Sequence, residues 1–199
     1  RADRRRARRC ARPDAPPPPG YKSITLLGQN VNSYGLDKNG QEINFAELLR
    51  QIGEYGITSG EEFWVYFTSP HPQDMNREVI EVIAAYDCLA KQVHLPMQSG
   101  DERVLIKMNR RHSMDKYRRI VADIRELIPQ ATLFTDIIVG FSSEGEPEFQ
   151  NTVTAMNEFR YNMAYIAMYS PRPGAASFRW ENEVSAEDKK DRLHRLTEI

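Results

Sequence analysis

The sequence predicts an α/β chain of parallel βαβ units, and three observations carry that prediction. Short β-branched or aromatic runs alternate with segments of helical period. The alternation repeats every roughly 30 to 40 residues, the spacing of a strand, a crossover helix and the next parallel strand. Five strand runs follow one another with no return to antiparallel hairpins, which leaves a barrel or an open doubly wound sheet. In either architecture a ligand sits at the carboxyl ends of the strands, where the loops converge.

The strand runs are Ser23 to Leu27, Phe63 to Phe67, Gln92 to Pro96, Leu133 to Val139 and Ala164 to Tyr169, each stopped by Gly, Pro or polar residues. A helix is predicted over Phe45 to Tyr55 because Phe45, Leu48, Leu49 and Ile52 share one face. Met75 to Tyr86 does the same with Val79, Val82, Ile83 and Tyr86. Ser113 can cap a helix to Ile128 whose stripe is Tyr117, Ile120, Val121, Ile124 and Leu127, with Pro129 as the stop. Glu146 to Phe159 and Ala186 to Ile199 complete the series.

With 199 residues, 40% hydrophobic and 28% charged, the composition is that of an ordinary globular protein with one sizeable core. No apolar run approaches the roughly 18 residues of a membrane span, and no secretory signal is written, so a cytoplasmic chain without a membrane partner is expected. Cys10 and Cys88 lie far apart and supply neither a disulfide framework nor a zinc knuckle. Residues 1 to 20 hold seven Arg against Asp3 and Asp14; that surplus of +5 within a net charge of -1 leaves -6 on the remainder. A mildly acidic body does not grip a phosphate backbone unaided. The Arg/Pro-rich leader, residues 1–20, is expected to be disordered: a solvated tail or a wrongly assigned start, with an RNA-touching arm or a transit peptide as functional alternatives.

The strand ends read "GQNVNSYG" from Gly28, "TSPHP" from Thr68, "HLPMQSG" from His94, "TDIIVGFSSEGE" from Thr135 and "YSPRPG" from Tyr169. Amides and hydroxyls both donate and accept, which suits a neutral ligand of many functional groups, such as a nucleoside or an amino acid. No dinucleotide, triphosphate or acyl-transfer motif is present. His71 and His94 lack a ligand partner pattern, so packing at a turn outweighs metal ligation. Asp136 inside an apolar strand must be paired with backbone or a cation, or line a cavity. Glu144 either accepts from a ligand or favours the start of the next helix together with Glu146 and Glu148.

Taken in order, "TLLGQNVNSYG", "FTSPHP", "HLPMQSG", "TDIIVGF" and "YSPRPG" resemble the radical S-adenosylmethionine (SAM) methylthiotransferases, from Tyr21 to the C-terminus. The resemblance favours the tRNA branch, which adds a methylthio group to C2 of isopentenyladenosine beside the anticodon. The other members of the family act on another tRNA base or on a ribosomal protein. It implies a partial (β/α) radical SAM barrel, strands two to six of six, with residues 21–199 as an incomplete core domain. It also implies SAM and two [4Fe-4S] clusters as cofactors and tRNA as partner, and leaves the oligomeric state open. By strand position, Gln29 and Asn30 meet the amino end of SAM, Gln98 and Ser99 its ribose or carboxylate, and Ile138, Val139 and Gly140 its adenine. Glu144 joins this set. Arg103 and Arg110, placed on the helix after "QSG", either pair with the SAM carboxylate or are solvated.

Three departures bear on activity. A cubane cluster needs several converging thiolates, and the family's C-x-x-x-C-x-x-C loop and its second cysteine set have no counterpart here. "GFSSEGE" stands where relatives read "GFPGETE", which puts the turn in doubt. The β-rich TRAM domain is also missing. The expectation is a piece of a methylthiotransferase from a truncated or misread gene, inactive alone, with no catalytic or metal-ligating residue of its own. A non-catalytic remnant or partner-binding domain, and an unrelated α/β barrel enzyme of small polar metabolites, are the competing classes.

Overall fold

The computed structural model describes residues 21–36, 42–180 and 184–199, so the expected disorder of the leader lies outside the described residues. The chain divides into two compact units, Arg1–His94 with Ile120–Thr132, and Leu95–Arg119 with Leu133–Ile199.

In the first unit β1 (Ser23–Leu26) lies parallel to β2 (Trp64–Phe67), in register from Ser23 opposite Trp64 to Leu26 opposite Phe67. The other edge of β2 takes the Cys88–Ala90 segment, through Val65 N–H to Cys88 O at 2.8 Å and Ala90 N–H to Val65 O at 3.0 Å. The crossover helix α1 (Phe45–Ser59) starts where the Asn44 side chain accepts from Glu47 N–H, and it buries Phe45, Ala46, Leu48 and Leu49. It runs one turn past the expected end at Tyr55. Gly56 lies in the added turn and leaves room for Cys88: a Cβ would stand 2.9 Å from the Cys88 Sγ. Helix α2 (Arg77–Ala85) begins later than expected because Asn76, not Met75, caps it, accepting from Val79 N–H. The Lys91 ammonium satisfies its far end through the carbonyls of Ile83, Ala84 and Tyr86. β3 (Gln92–His94) follows.

In the second unit β4 (Thr132–Val139) pairs in parallel with β5 (Met163–Met168), Phe134 opposite Met163 through Val139 opposite Met168. The segment after Leu95 flanks β4 on its other edge through Leu95 N–H to Phe134 O, Gln98 N–H to Asp136 O and Ile138 N–H to Gln98 O. Short helix α3 (Glu102–Lys107) comes next, and α4 (Met114–Leu127) is capped by Ser113 as expected, its hydroxyl accepting from Lys116 N–H. Helix α5 (Glu146–Phe159) matches the predicted range residue for residue, and α6 (Ala186–Thr197) closes the chain. All five expected strands form and the paired ones are parallel, each within two residues of the predicted bounds.

Strand periodicity sorts β4 into two faces. Leu133, Thr135, Ile137 and Val139 are buried, whereas Phe134, Asp136 and Ile138 are only half-buried. Their partners on the same side of β5, Met163, Tyr165 and Ala167, are exposed. One face of this strand pair therefore stays open. Among the described residues no helix is long and apolar enough to cross a membrane.

Candidate functional site

In the first unit the loop after β1 divides the amides of "GQNVNSYG" into two groups. Asn32 is buried and forms a reciprocal pair with the backbone of residue 71: its Nδ2 donates to His71 O at 2.9 Å and His71 N–H donates to its Oδ1 at 2.7 Å. The Ser33 hydroxyl donates to Asp74. These contacts tie the loop to "TSPHP", where the His71 Nδ1 caps the 3-10 turn Pro72–Asp74 by accepting from Gln73 N–H. His71 thus packs a turn, as its surroundings in sequence indicate. Gln29 and Asn30 are exposed, and among the described residues their side chains make no hydrogen bond.

In the second unit Gln98 is buried with a left-handed φ of 71°, a conformation a side chain takes at a cost. Its backbone is consumed on both sides by β4, while its carboxamide has no partner among the described residues. Ser99 is fully buried and spent internally, accepting from Asp101 N–H and lying 3.4 Å from the Thr152 hydroxyl. Gly100 N–H donates to the same Thr152 hydroxyl. Asp101 caps α3 through Arg103 and Val104 N–H and accepts from the Asn151 carboxamide. Arg103 lies on α3 and reaches Glu148. Arg110 does not lie on that helix: α3 ends at Lys107 and Asn109 adopts φ 55°, so Arg110 falls in the following loop. It is half-buried; burial lowers its affinity for a proton and the charge of Asp136 opposes that shift.

At the end of β4, Ile138 projects on the open face beside Asp136, and the Val139 side chain is buried on the opposite face. Gly140 follows with φ 69°, and Lys189 fills the space a side chain would need: a Cβ would stand 2.3 Å from the Lys189 Cγ. The turn closes by Gly140 N–H donating to the Glu144 carboxylate at 2.8 Å and Glu144 N–H to Phe141 O at 2.9 Å. Arg192 donates to both the backbone oxygen and the carboxylate of Glu144, at 2.8 and 2.9 Å. Burial pushes the Glu144 carboxyl up, against the pull of Gly140 N–H and Arg192. The turn forms despite its departure from the family pattern, with Ser143 at φ 64° where relatives have Gly. The buried Ser142 hydroxyl within it has no hydrogen-bond partner.

Sequence reasoning missed Asn32, Thr152, Lys189, Arg192 and Ser142. Thr152, Lys189 and Arg192 sit on helices, and each acts on a strand-end segment 20 to 52 positions away in sequence.

A model of the radical SAM superfamily matches residues 14–156. The chain belongs to the radical SAM superfamily. Proteins of this superfamily use SAM and a [4Fe-4S] cluster. Over 180 residues, 90% of this chain, it is 44% identical to tRNA-2-methylthio-N(6)-dimethylallyladenosine synthases of Clostridium botulinum and Protochlamydia amoebophila. The corresponding synthase of Symbiobacterium thermophilum is 43% identical over 186 residues. The chain spans 38–39% of the length of these relatives. Among solved structures, coproporphyrinogen III oxidase from Escherichia coli superposes with a TM-score of 0.57 over 96% of this chain and 54% of its own, at 16% identity. A radical SAM methyltransferase from Kitasatospora setae gives 0.56 over 73% of this chain and 27% of its own, at 14% identity. At such identities the likeness speaks of fold, an α/β arrangement of parallel strands and helices resembling part of a radical SAM barrel.

The two cofactors of a radical SAM protein fare differently against these residues. Among the described residues no group of three or more His, Cys, Asp or Glu could hold a metal ion, and Cys88 beside Gly56 is the one described cysteine. The described residues do not fit a [4Fe-4S] cluster, which takes several converging thiolates. The Gln98 carboxamide, by contrast, offers a donor and an acceptor suited to the polar ends of SAM, and the Ser142 hydroxyl is buried without a hydrogen-bond partner.

Proposed function

We propose that this chain is the SAM-binding part of a tRNA methylthiotransferase, comprising strands two to six of the six-stranded radical SAM barrel. In this reading residues 21–199 are the incomplete core domain of a cytoplasmic enzyme and residues 1–20 its leader. The single observation that carries the reading is 44% identity to tRNA-2-methylthio-N(6)-dimethylallyladenosine synthases across 90% of the chain. The substrate is then an N6-alkylated adenosine of tRNA, as in the name of those relatives.

Bound SAM supplies a sulfonium carried between an adenosine and an amino acid. Gln29 and Asn30 hold its amino-acid end with side chains that the fold leaves unspent, and Gln98 does the same toward ribose or carboxylate. Ile138 offers the adenine an apolar contact from the open face of β4, and Val139 and Gly140 shape the turn beside it. Ser99 and Glu144 serve the same ligand by holding the segments that carry Gln98 and Gly140. No radical step is assigned to these residues, because those that would ligate a cluster are not among them.

Calorimetric titration of the 199-residue chain with SAM tests the reading. Measurable binding is expected, weakened about tenfold or more in Asn30→Ala and in Gln98→Ala, the loss of one to two hydrogen bonds. A folded wild-type chain that releases no heat with SAM would instead favour the non-catalytic, partner-binding reading. Anaerobic iron and sulfide reconstitution is the complementary arm: stoichiometric cluster uptake with SAM cleavage by the chain alone would overturn its expected inactivity.

A further inference from the structure

We propose that Arg192, with Lys189 beside it, is a positioning residue for the ligand: the C-terminal helix α6 sets the turn after β4 in its binding shape before the ligand arrives. The proposal rests on the SAM-binding reading above.

The argument starts from an anomaly of burial. Helix α6, "AEDKKDRLHRLT", has nine polar or charged residues against Ala186, Leu193 and Leu196, and would read as a solvated helix. Yet Lys189 and Arg192 are buried, at 8% and 7% exposure, and long cations are rarely buried without partners. Their partners lie at strand ends. The Arg192 guanidinium spans Glu144 from backbone oxygen to carboxylate, and stands 5.6 Å from the centre of the Phe149 ring on α5. That same Glu144 oxygen receives Gly140 N–H, so a single carboxylate oxygen is shared between the first residue of the turn and α6.

One turn earlier on α6, the stem of Lys189 packs on Gly140, and its ammonium donates to Tyr169 O at 3.3 Å over the Tyr169 ring. Tyr169 follows β5 and donates its N–H to Val139 O. One turn later Arg195 pairs with Glu146 at the start of α5. Residues 189, 192 and 195 thus form a row at three-residue spacing, the spacing of neighbours on a helix surface. The row addresses in turn the ends of β4 and β5, the middle of the turn, and the helix that follows it.

What this row holds is costly to hold. Ser143, which is not a glycine, adopts φ 64°, and the Ser142 hydroxyl is left without a partner. A strained, polar, over-determined turn at a strand end is the signature of a segment shaped for something other than its own stability. Glu144 accordingly acts through the turn and not as a direct ligand contact, and Arg192 acts through Glu144.

The test uses the whole chain and S-adenosylhomocysteine, which carries the adenosine and amino-acid ends of SAM and needs no cluster. Titration calorimetry is paired with amide hydrogen exchange. Arg192→Gln is expected to weaken S-adenosylhomocysteine binding about tenfold and to speed exchange at Gly140 and Glu144 by at least as much. Exchange at Val104 and Leu105 in α3 stays unchanged. Arg192→Lys recovers part of the affinity because one of the two acceptors is still reached. Glu144→Gln keeps an acceptor for Gly140 but removes the charge that faces Arg192, so it speeds exchange at Gly140 and loses affinity together with it.

If Arg192→Gln and Arg192→Lys lower the melting temperature but leave the affinity of the folded chain and the exchange of the turn unchanged, Arg192 only stabilises the fold and the proposal fails. A tenfold loss in Glu144→Gln with the exchange of the turn unchanged would make Glu144 a direct ligand contact and also overturn it. A wild-type chain that ignores S-adenosylhomocysteine defeats the SAM reading itself, a result distinct from the other two.

Discussion

Replacing Tyr117 by Phe should destabilise the second unit more than an exposed hydroxyl deletion would, and the structure fixes by how much. Tyr117 is fully buried; its hydroxyl donates to Leu95 O at 2.7 Å and accepts from the Tyr161 hydroxyl at 3.0 Å. Two buried hydrogen bonds at roughly 1 kcal/mol each give an expected loss of about 2 kcal/mol, because the Tyr161 hydroxyl keeps the Met97 sulfur as an acceptor at 3.4 Å. Tyr161→Phe removes one shared bond and should cost about 1 kcal/mol, while the double variant should lie close to Tyr117→Phe alone, a coupling of about 1 kcal/mol. Burial pushes both phenols up from their ordinary range. A raised phenol contributes stability that is complete below the unfolded value of about 10 and is lost as pH rises through it. Urea unfolding followed by circular dichroism, at neutral pH and again above pH 10, measures both effects. A loss below about 0.5 kcal/mol, or strict additivity of the two substitutions, would refute the reading of Tyr117 as the anchor of the segment that carries Gln98.

Three further outcomes follow from the same geometry. Asn32→Ala removes both hydrogen bonds to the His71 backbone, whose oxygen still receives Asp74 N–H, and should cost about 2 kcal/mol in denaturant unfolding, whereas Asn30→Ala, with no internal bond to lose, should stay within about 0.5 kcal/mol. Ser143→Gly relieves a side chain at φ 64° and should raise the urea midpoint by the equivalent of about 1 kcal/mol; a lower midpoint would mean that the turn is not strained. Because burial raises the Glu144 carboxyl, its contribution to stability is present below the unfolded carboxylate value of about 4.3 and declines as pH rises through the carboxylate range. The difference in stability between wild type and Glu144→Gln should therefore fall with rising pH, and a flat or rising difference would contradict the burial argument.

Elements were legible in the sequence wherever local chemistry alone decides them. Ser113, the Pro after Ile128 and the alternation through Thr132 to Val139 act within a few residues, and the corresponding helix and strand lie where those signals put them. The site was legible only by class. Gln29, Asn30 and Asn32 are equivalent as letters, yet Asn32 is consumed by a backbone pair 39 residues away while the other two point outward. Glu144 read equally well as ligand contact or helix starter, and what settles its surroundings is a guanidinium 48 residues later. Tertiary pairing is the information that a local reading lacks, and it acts most where a side chain has two chemically sensible uses.

The division of strand-end residues into spent and unspent groups has a consequence for binding. In each unit the spent group (Asn32, Ser33 and Asp74 in one, Ser99, Thr152, Glu144 and Arg192 in the other) closes its hydrogen bonds without any ligand. The loops are then already ordered when a ligand arrives, and the conformational entropy of fixing them, roughly 1–2 kcal/mol per residue, is met by folding and not by binding. The unspent groups, Gln29 and Asn30 in one unit and Gln98 in the other, pay only the cost of exchanging water for ligand. On this reasoning substitutions in the two groups should separate cleanly: those in the spent group change stability and affinity together, and those in the unspent group change affinity alone. Asn32→Ala and Asn30→Ala, measured side by side for unfolding free energy and for SAM binding, are the pair that decides it, because a stability loss in Asn30→Ala equal to that in Asn32→Ala would erase the distinction.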